Sequence, residues 1–140
     1  MEYLNTAIQV LEKNGFKITT PRKLVLQALQ DTDQAVSPYD LQKTIGKQVD
    51  LNHVTIYRIL EVLQDLHLVH KVANGGFIKC SIPDIKGCHH FLICNSCGLT
   101  KEFVEEEHSH PHLPAELEKQ FVITNHTYEL SGTCKTCLTH

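Results

Sequence analysis

Apolar positions in the first half of the chain recur at helical spacing. Leu4, Ile8 and Leu11 lie four and three residues apart, and Asn14-Gly15 then supplies a stop. Thr20 followed by Pro21 reads as an N-cap with proline at the first helical position. Leu24, Val25, Ala28 and Leu29 give the helix that follows an apolar face. Ser37-Pro38 repeats the start signal, with Asp40 in the first turn and Leu41 and Ile45 inside. A fourth helix starts near Asn52 and carries Val54, Ile56, Tyr57, Ile59, Leu60 and Leu63. Helical periodicity then gives way to a hairpin pattern: Leu68 to Val72 as strand, Ala73-Asn74-Gly75-Gly76 as turn, and Phe77 to Cys80 as strand.

Short helices closed by a hairpin match a winged helix-turn-helix, in which the helix before the hairpin enters the major groove. The candidate reading face is His53, Thr55, Tyr57 and Arg58, with Asn52 at the helix start. Arg22, Lys23, Lys43 and Lys47 are candidate phosphate contacts. A small helical core with merely solvated polar side chains fits the same pattern. Residues 1–84 carry nine basic and nine acidic side chains, so any DNA affinity must come from a local basic face.

In the second half the pattern predicts a strand over Leu99 to Val104, a helix over Leu113 to Gln120 after Pro111 and Pro114, and a strand over Phe121 to Leu130. With 140 residues, 41% apolar and 21% charged, the chain is long enough for one compact domain or two small ones. It contains no run of 18 apolar residues, and its N-terminus has no basic leader. A soluble, cytoplasmic protein without a membrane anchor is expected.

Cysteine and histidine change the picture most. Residues 1–79 contain no cysteine and three histidines, whereas residues 80–140 contain all six cysteines and seven histidines. Turn residues at Pro83-Asp84-Ile85-Lys86-Gly87 mark the boundary. The expected organisation is therefore a unit over 1–82, a hinge over 83–87 and a metal-binding unit over 88–140.

Cys94-Asn95-Ser96-Cys97 and Cys134-Lys135-Thr136-Cys137 are two C-x2-C knuckles separated by 36 residues. Each can turn two thiolates toward one ion, and two pairs close a tetrahedral four-cysteine site of the structural zinc type. Independent redox dithiols are the alternative. A redox C-x-x-C ends a strand and opens a helix, which Gly98 and the strand-like run after it do not match. Cys80, Cys88 and most of the histidines are left over. If residues 88–94 are extended, His89 and Phe91 share one face while Cys88 and His90 share the other. Two further ligand sets could follow, and a mixed thiolate and imidazole set suits Zn2+. Either cysteine could equally be a small buried hydrophobe.

Several of these motifs combine into one order: Thr20-Pro21-Arg22, then Val54-Thr55-Ile56-Tyr57-Arg58-Ile59-Leu60, then Cys88 to Gly98, then Thr124-Asn125-His126 and the final knuckle. This order resembles the ferric uptake regulator superfamily over almost the whole chain, most closely its zinc uptake regulator branch. The resemblance implies an α+β protein with an N-terminal winged helix and a C-terminal α/β dimerisation domain. It implies a homodimeric, metal-responsive repressor that binds a palindromic operator in double-stranded DNA, with structural zinc on Cys94, Cys97, Cys134 and Cys137. Tyr57 and Arg58 match the family's DNA-contacting pair, with Arg22, Asn52 and Thr55 beside them.

Carried over residue by residue, the sensory zinc ligands are His70, Cys80, His89 and Glu102, with His90 or Cys88 as substitutes for His89. A further site found in parts of the family would use Cys88 or His90, a residue near Glu107 to His110, and His126. An iron, manganese or peroxide sensor of the same family is the alternative, and Cys80 argues for zinc. From other classes, a zinc-ribbon redox protein or a zinc-buffering module remains. Zinc deaminase and zincin signatures are absent, so the chain is read as a non-enzyme.

Overall fold

The computed structural model describes residues 2–73, 75–81, 88–105, 113–124 and 126–139. The chain divides into two compact units, Met1–Pro83 and Asp84–His140. The expected hinge at 83–87 and the candidate ligand His110 lie outside the described residues.

The first unit contains α1 (Glu2–Lys13), α2 (Thr20–Gln30), α3 (Pro38–Ile45) and α4 (His53–Asp65), followed by β1 (Val69–Lys71) and β2 (Phe77–Lys79). Its core joins Ala7 and Leu11 of α1 with Val25, Leu26 and Leu29 of α2. Leu41, Ile45, Ile56, Leu60, Leu63 and Phe77 complete it. Helix starts follow local chemistry. The N-cap of α2 is Thr19, not Thr20: the Arg22 N–H donates to Thr19 Oγ1, which moves Thr20 into the first turn beside Pro21. Either threonine could cap, and the one with extended backbone does so.

At α3 the cap is reciprocal. Asp40 N–H donates to Ser37 Oγ at 3.1 Å, and Ser37 N–H donates to Asp40 Oδ2 at 3.0 Å. The Ser37 N–H, followed by its hydroxyl, holds the Asp40 carboxyl below its usual pKa. This contribution to α3 is present at neutral pH and is lost as pH falls through that lowered value.

α4 ends with His67 in the left-handed region, at φ 59°. The His67 N–H bonds Gln64 O and the Leu68 N–H bonds Leu63 O, closing the helix C-terminus. A side chain there carries a steric cost that glycine avoids, partly offset by glycine's larger unfolded-state entropy. His67→Gly is therefore expected to stabilise the protein by up to about 1 kcal/mol, read as a higher urea midpoint with an unchanged slope.

The hairpin is shorter than its sequence pattern, because only three residues of each strand pair. It is tied to the helices through Val36, whose N–H and C=O both bond Phe77. Lys79 Nζ donates to Gln30 O, the last carbonyl of α2, at 2.6 Å.

The second unit is a three-stranded sheet in the order β4-β3-β5: β3 (Cys88–Cys94), β4 (Thr100–Glu105) and β5 (Glu129–Gly132), with one-turn helices α5 (Ala115–Glu118) and α6 (Lys135–Leu138). β3 runs antiparallel to β4 and parallel to β5. The insert between the knuckles departs from expectation. The helix expected over 113–120 forms only at Ala115–Glu118, and the strand expected over 121–130 forms only at Glu129–Gly132. Among the described residues no strand pairs with 121–124. Phe121 is 63% exposed and Val122 91% exposed, so the apolar pattern that reads as a strand is not satisfied among the described residues.

Candidate metal centres and nucleic-acid interface

The four knuckle cysteines converge. Cys94, Cys97, Cys134 and Cys137 place their sulfurs within 4.8 Å of one another. The Cys94–Cys137 and Cys97–Cys134 sulfur pairs are 3.9 and 3.8 Å apart. Zinc–sulfur bonds of about 2.3 Å in tetrahedral geometry require sulfur–sulfur edges of about 3.8 Å. The separation suits an ion and is far too long for a disulfide. Gly98, at φ 79°, lets its N–H turn back onto Cys94 O at 3.0 Å. The Asn95 N–H bonds Gly132 O and so fastens the first knuckle to the strand that leads into the second.

The Cys134 N–H donates to Cys94 Sγ at 3.3 Å. Together with the N–H groups of Cys97 and Ser96, it lowers the Cys94 thiol to a pKa of about 6. Cys137, crowded first by Cys134 and then by Cys97, is pushed up to about 12. Cys94 is thus a thiolate at neutral pH, and filling the site must release the remaining protons, so affinity rises with pH. The second knuckle does open a helical turn, α6 with Cys134 as its N-cap. Its thiols nonetheless lie with those of the first knuckle rather than alone.

The leftover donors are arranged by strand register. In the first unit Cys80 lies opposite Leu68, its N–H bonded to Leu68 O at 2.9 Å, and His70 lies opposite Ile78. His70 and Cys80 are therefore diagonal neighbours on one face of the hairpin. Cys80 is buried and His70 half-buried.

In the second unit His89 lies opposite Val104 and Phe91 opposite Glu102, which makes His89 and Glu102 a diagonal pair on one face of β3 and β4. His89 Nδ1 contacts Glu102 Oε2 directly. The other face carries His90 and Glu105, again diagonal, with His90 Nε2 3.5 Å from Glu105 Oε2. His126 Nε2 approaches the same oxygen at 3.3 Å. Glu105 was not singled out from the sequence. It is one of three consecutive glutamates, and only the register with Cys88 selects it.

The Tyr128 N–H donates to His90 Nδ1 at 2.8 Å, which leaves Nε2 facing Glu105. His90 is fully buried and its Nε2 has no hydrogen-bond partner among the described residues, so with Glu105 and His126 it forms a ligand set that could hold an ion. Cys88, opposite Glu105 in the ladder, is not part of the cluster.

In the helix-turn-helix, α4 turns Val54, Tyr57, Arg58 and Glu61 outward and buries Ile56, Ile59, Leu60 and Leu63. Asn52 Oδ1 caps the helix by accepting the Thr55 N–H at 2.8 Å, so both residues serve the helix start itself. Tyr57 packs edge-on to Phe77 of the wing at 6.0 Å. Arg58 is exposed. Arg22 is anchored, with Nη1 donating to Lys17 O and its guanidinium over the Phe16 ring. Tyr39, 58% exposed, stacks on His53 at 4.7 Å beside the α4 N-terminus. Periodicity gave no reason to single it out.

The model of the ferric uptake regulator family matches residues 13–131. The chain belongs to that family. It is 36% identical to the ferric uptake regulation protein of Yersinia pestis, covering 91% of this chain and 88% of that one. To the protein of the same name from Escherichia coli K12 it is 33% identical, covering 93% and 87%. Among solved structures, a zinc uptake regulator complexed with zinc and DNA is similar at a TM-score of 0.81 and 25% identity, covering 99% of this chain and 94% of that one. Membership of the ferric uptake regulator family makes the chain a metal-responsive, DNA-binding regulator. Among the described residues no helix is long and apolar enough to cross a membrane.

Proposed function

We propose that this family member senses zinc and, as a homodimer, represses genes of zinc uptake by binding a palindromic operator. The observation that carries the reading is the thiol of Cys80 on the same hairpin face as His70. A thiolate among the sensory ligands favours zinc over manganese or ferrous iron. His70 and Cys80 supply two ligands and His89 and Glu102 two more, and neither pair alone completes a site. Bound zinc would tie the two units together, favouring one spacing of the recognition helices. By linkage, DNA would then tighten zinc binding. The solved zinc uptake regulator supports the same direction. The ferric names of the curated relatives favour an iron sensor as the second reading.

The test is to titrate the purified dimer, its four-cysteine site filled, with Zn2+, Fe2+ and Mn2+ while following binding to a promoter duplex. Zinc alone should give tight binding, and Cys80→Ser should remove the response. Equal activation by iron or manganese, unchanged in Cys80→Ser, would sink the zinc assignment. Since His90, Glu105 and His126 offer a further ligand set, we expect a third zinc ion per chain beside the four-cysteine and sensory ions, countable by elemental analysis after dialysis.

The apolar side chains of Leu117, Phe121, Val122 and Ile123, exposed in the single chain, are assigned to the contact between copies. Val122→Asp removes about 1.5–3 kcal/mol of burial per copy, and a symmetric dimer loses it twice. It should run as a monomer at micromolar concentration in light scattering. A dimer as tight as wild type would place the interface elsewhere.

A further inference from the structure

The geometry points to Tyr3 as a positioning residue for the sensory site, one that makes α1 respond to zinc. The inference rests on the reading of Cys80 as a sensory ligand. Tyr3 Oη donates to Leu68 O at 2.8 Å, across 65 residues of sequence. The same carbonyl accepts the Cys80 N–H at 2.9 Å. One carbonyl oxygen, using both lone pairs, therefore joins the first helix to the backbone of the thiol ligand.

Leu68 is itself held tightly. It is 1% exposed, and its N–H is bonded to Leu63 O in the turn that closes α4. Cys80 is equally buried, at 1%. The Tyr3 ring packs against the core cluster. A zinc ion that fixes the Cys80 thiolate also fixes its peptide, then the shared carbonyl, and through Tyr3 the N-terminal end of α1. The order also runs in reverse: a docked α1 holds Cys80 in place before zinc arrives, and groups that orient a ligand raise its affinity.

Tyr3→Phe keeps the ring and removes only the hydroxyl, and Leu68 O retains the Cys80 bond. The experiment compares full-length wild type, Tyr3→Phe and Cys80→Ser, all with the four-cysteine zinc retained, by chelator competition for the second zinc and by amide exchange of residues 2–13. In wild type, zinc should slow exchange in α1. Tyr3→Phe should bind the second zinc about tenfold more weakly, the low end for loss of a group that orients a ligand. It should show slightly faster exchange than wild type without zinc and no slowing with it. Cobalt substitution should give the same thiolate charge-transfer band, because the ligands are unchanged. If Tyr3→Phe binds zinc as wild type does, or if α1 exchange loses the same protection with and without zinc, Tyr3 is only a packing residue. If Cys80→Ser binds the second zinc as wild type does, the sensory assignment itself fails, and the role of Tyr3 falls with it.

Discussion

Replacing Cys97 by alanine is expected to unfold the second unit and leave the first folded. Among the described residues of the second unit, the buried side chains are Cys88, His90, Phe91, Cys94 and Thr100. Phe91 is the one large hydrocarbon among them. A core of that size cannot offset the backbone entropy of a sheet without a metal or a partner. The four-cysteine site supplies the metal, since structural zinc contributes about 10–16 kcal/mol in peptide systems, comparable with a whole domain's stability of about 5–15 kcal/mol. Losing one of four thiolates leaves a site that holds its ion poorly and frees the knuckle from Gly132. The first unit has a separate core running from Ala7 to Phe77 and does not draw on the metal. Amide exchange should show lost protection in β3, β4 and β5 with α2 and α4 unchanged, and light scattering should show loss of the dimer. Preserved sheet protection in a zinc-free protein would mean that the site is not structural.

The same imbalance explains which parts of the fold could be read from sequence. Helices α2 to α4 were legible because each carries its own start and its own buried stripe, as at Ser37 with Asp40 and at Asn52, and α1 through its stripe and its stop at Asn14-Gly15. Thr19 against Thr20 shows the limit, where two adjacent caps differ only in backbone conformation. The four-cysteine site was legible because spacing alone restricts what two knuckles can do. The insert between them was not. Phe121 to Ile123 is a continuous β-prone apolar run that reads as strand, but no partner pairs with it among the described residues. A periodicity argument cannot distinguish burial within a chain from burial between copies.

Ligand pairing falls between these cases. The alternation of His89 and His90 was readable from the strand itself. The choice of Glu102 for one face and Glu105 for the other depends on the register of β3 against β4, a non-local fact. One strand pair thereby carries Glu102 beside His89 on one side and, one pleat away, Glu105 beside His90 and His126. The bond from the Tyr128 N–H to His90 Nδ1 could not be read at all, because its donor lies 38 residues later in the chain.

Arg58→Ala is expected to weaken operator selection sharply while leaving the fold intact. Arg58 is exposed on the outward face of α4, and the inward face, Ile56, Ile59, Leu60 and Leu63, makes the core without it. A guanidinium reading a base edge discriminates by about 1–3 kcal/mol. A symmetric dimer makes the contact in both half-sites, so operator affinity should fall by about 2–6 kcal/mol, or roughly 30-fold to 10⁴-fold. Binding to random duplex should change little, because that term comes from phosphate neutralisation. Lys47→Ala supplies the opposite signature. If Lys47 neutralises a phosphate, its loss should weaken specific and random binding alike and reduce the salt slope by about 0.9 per contact in each copy. Measuring both variants on operator and random duplex across a salt series separates base reading from backbone positioning. Should Arg58→Ala keep the wild-type ratio of operator to random affinity, the outward face of α4 is not the reading surface, and Tyr39 with His53 at its N-terminus becomes the place to test.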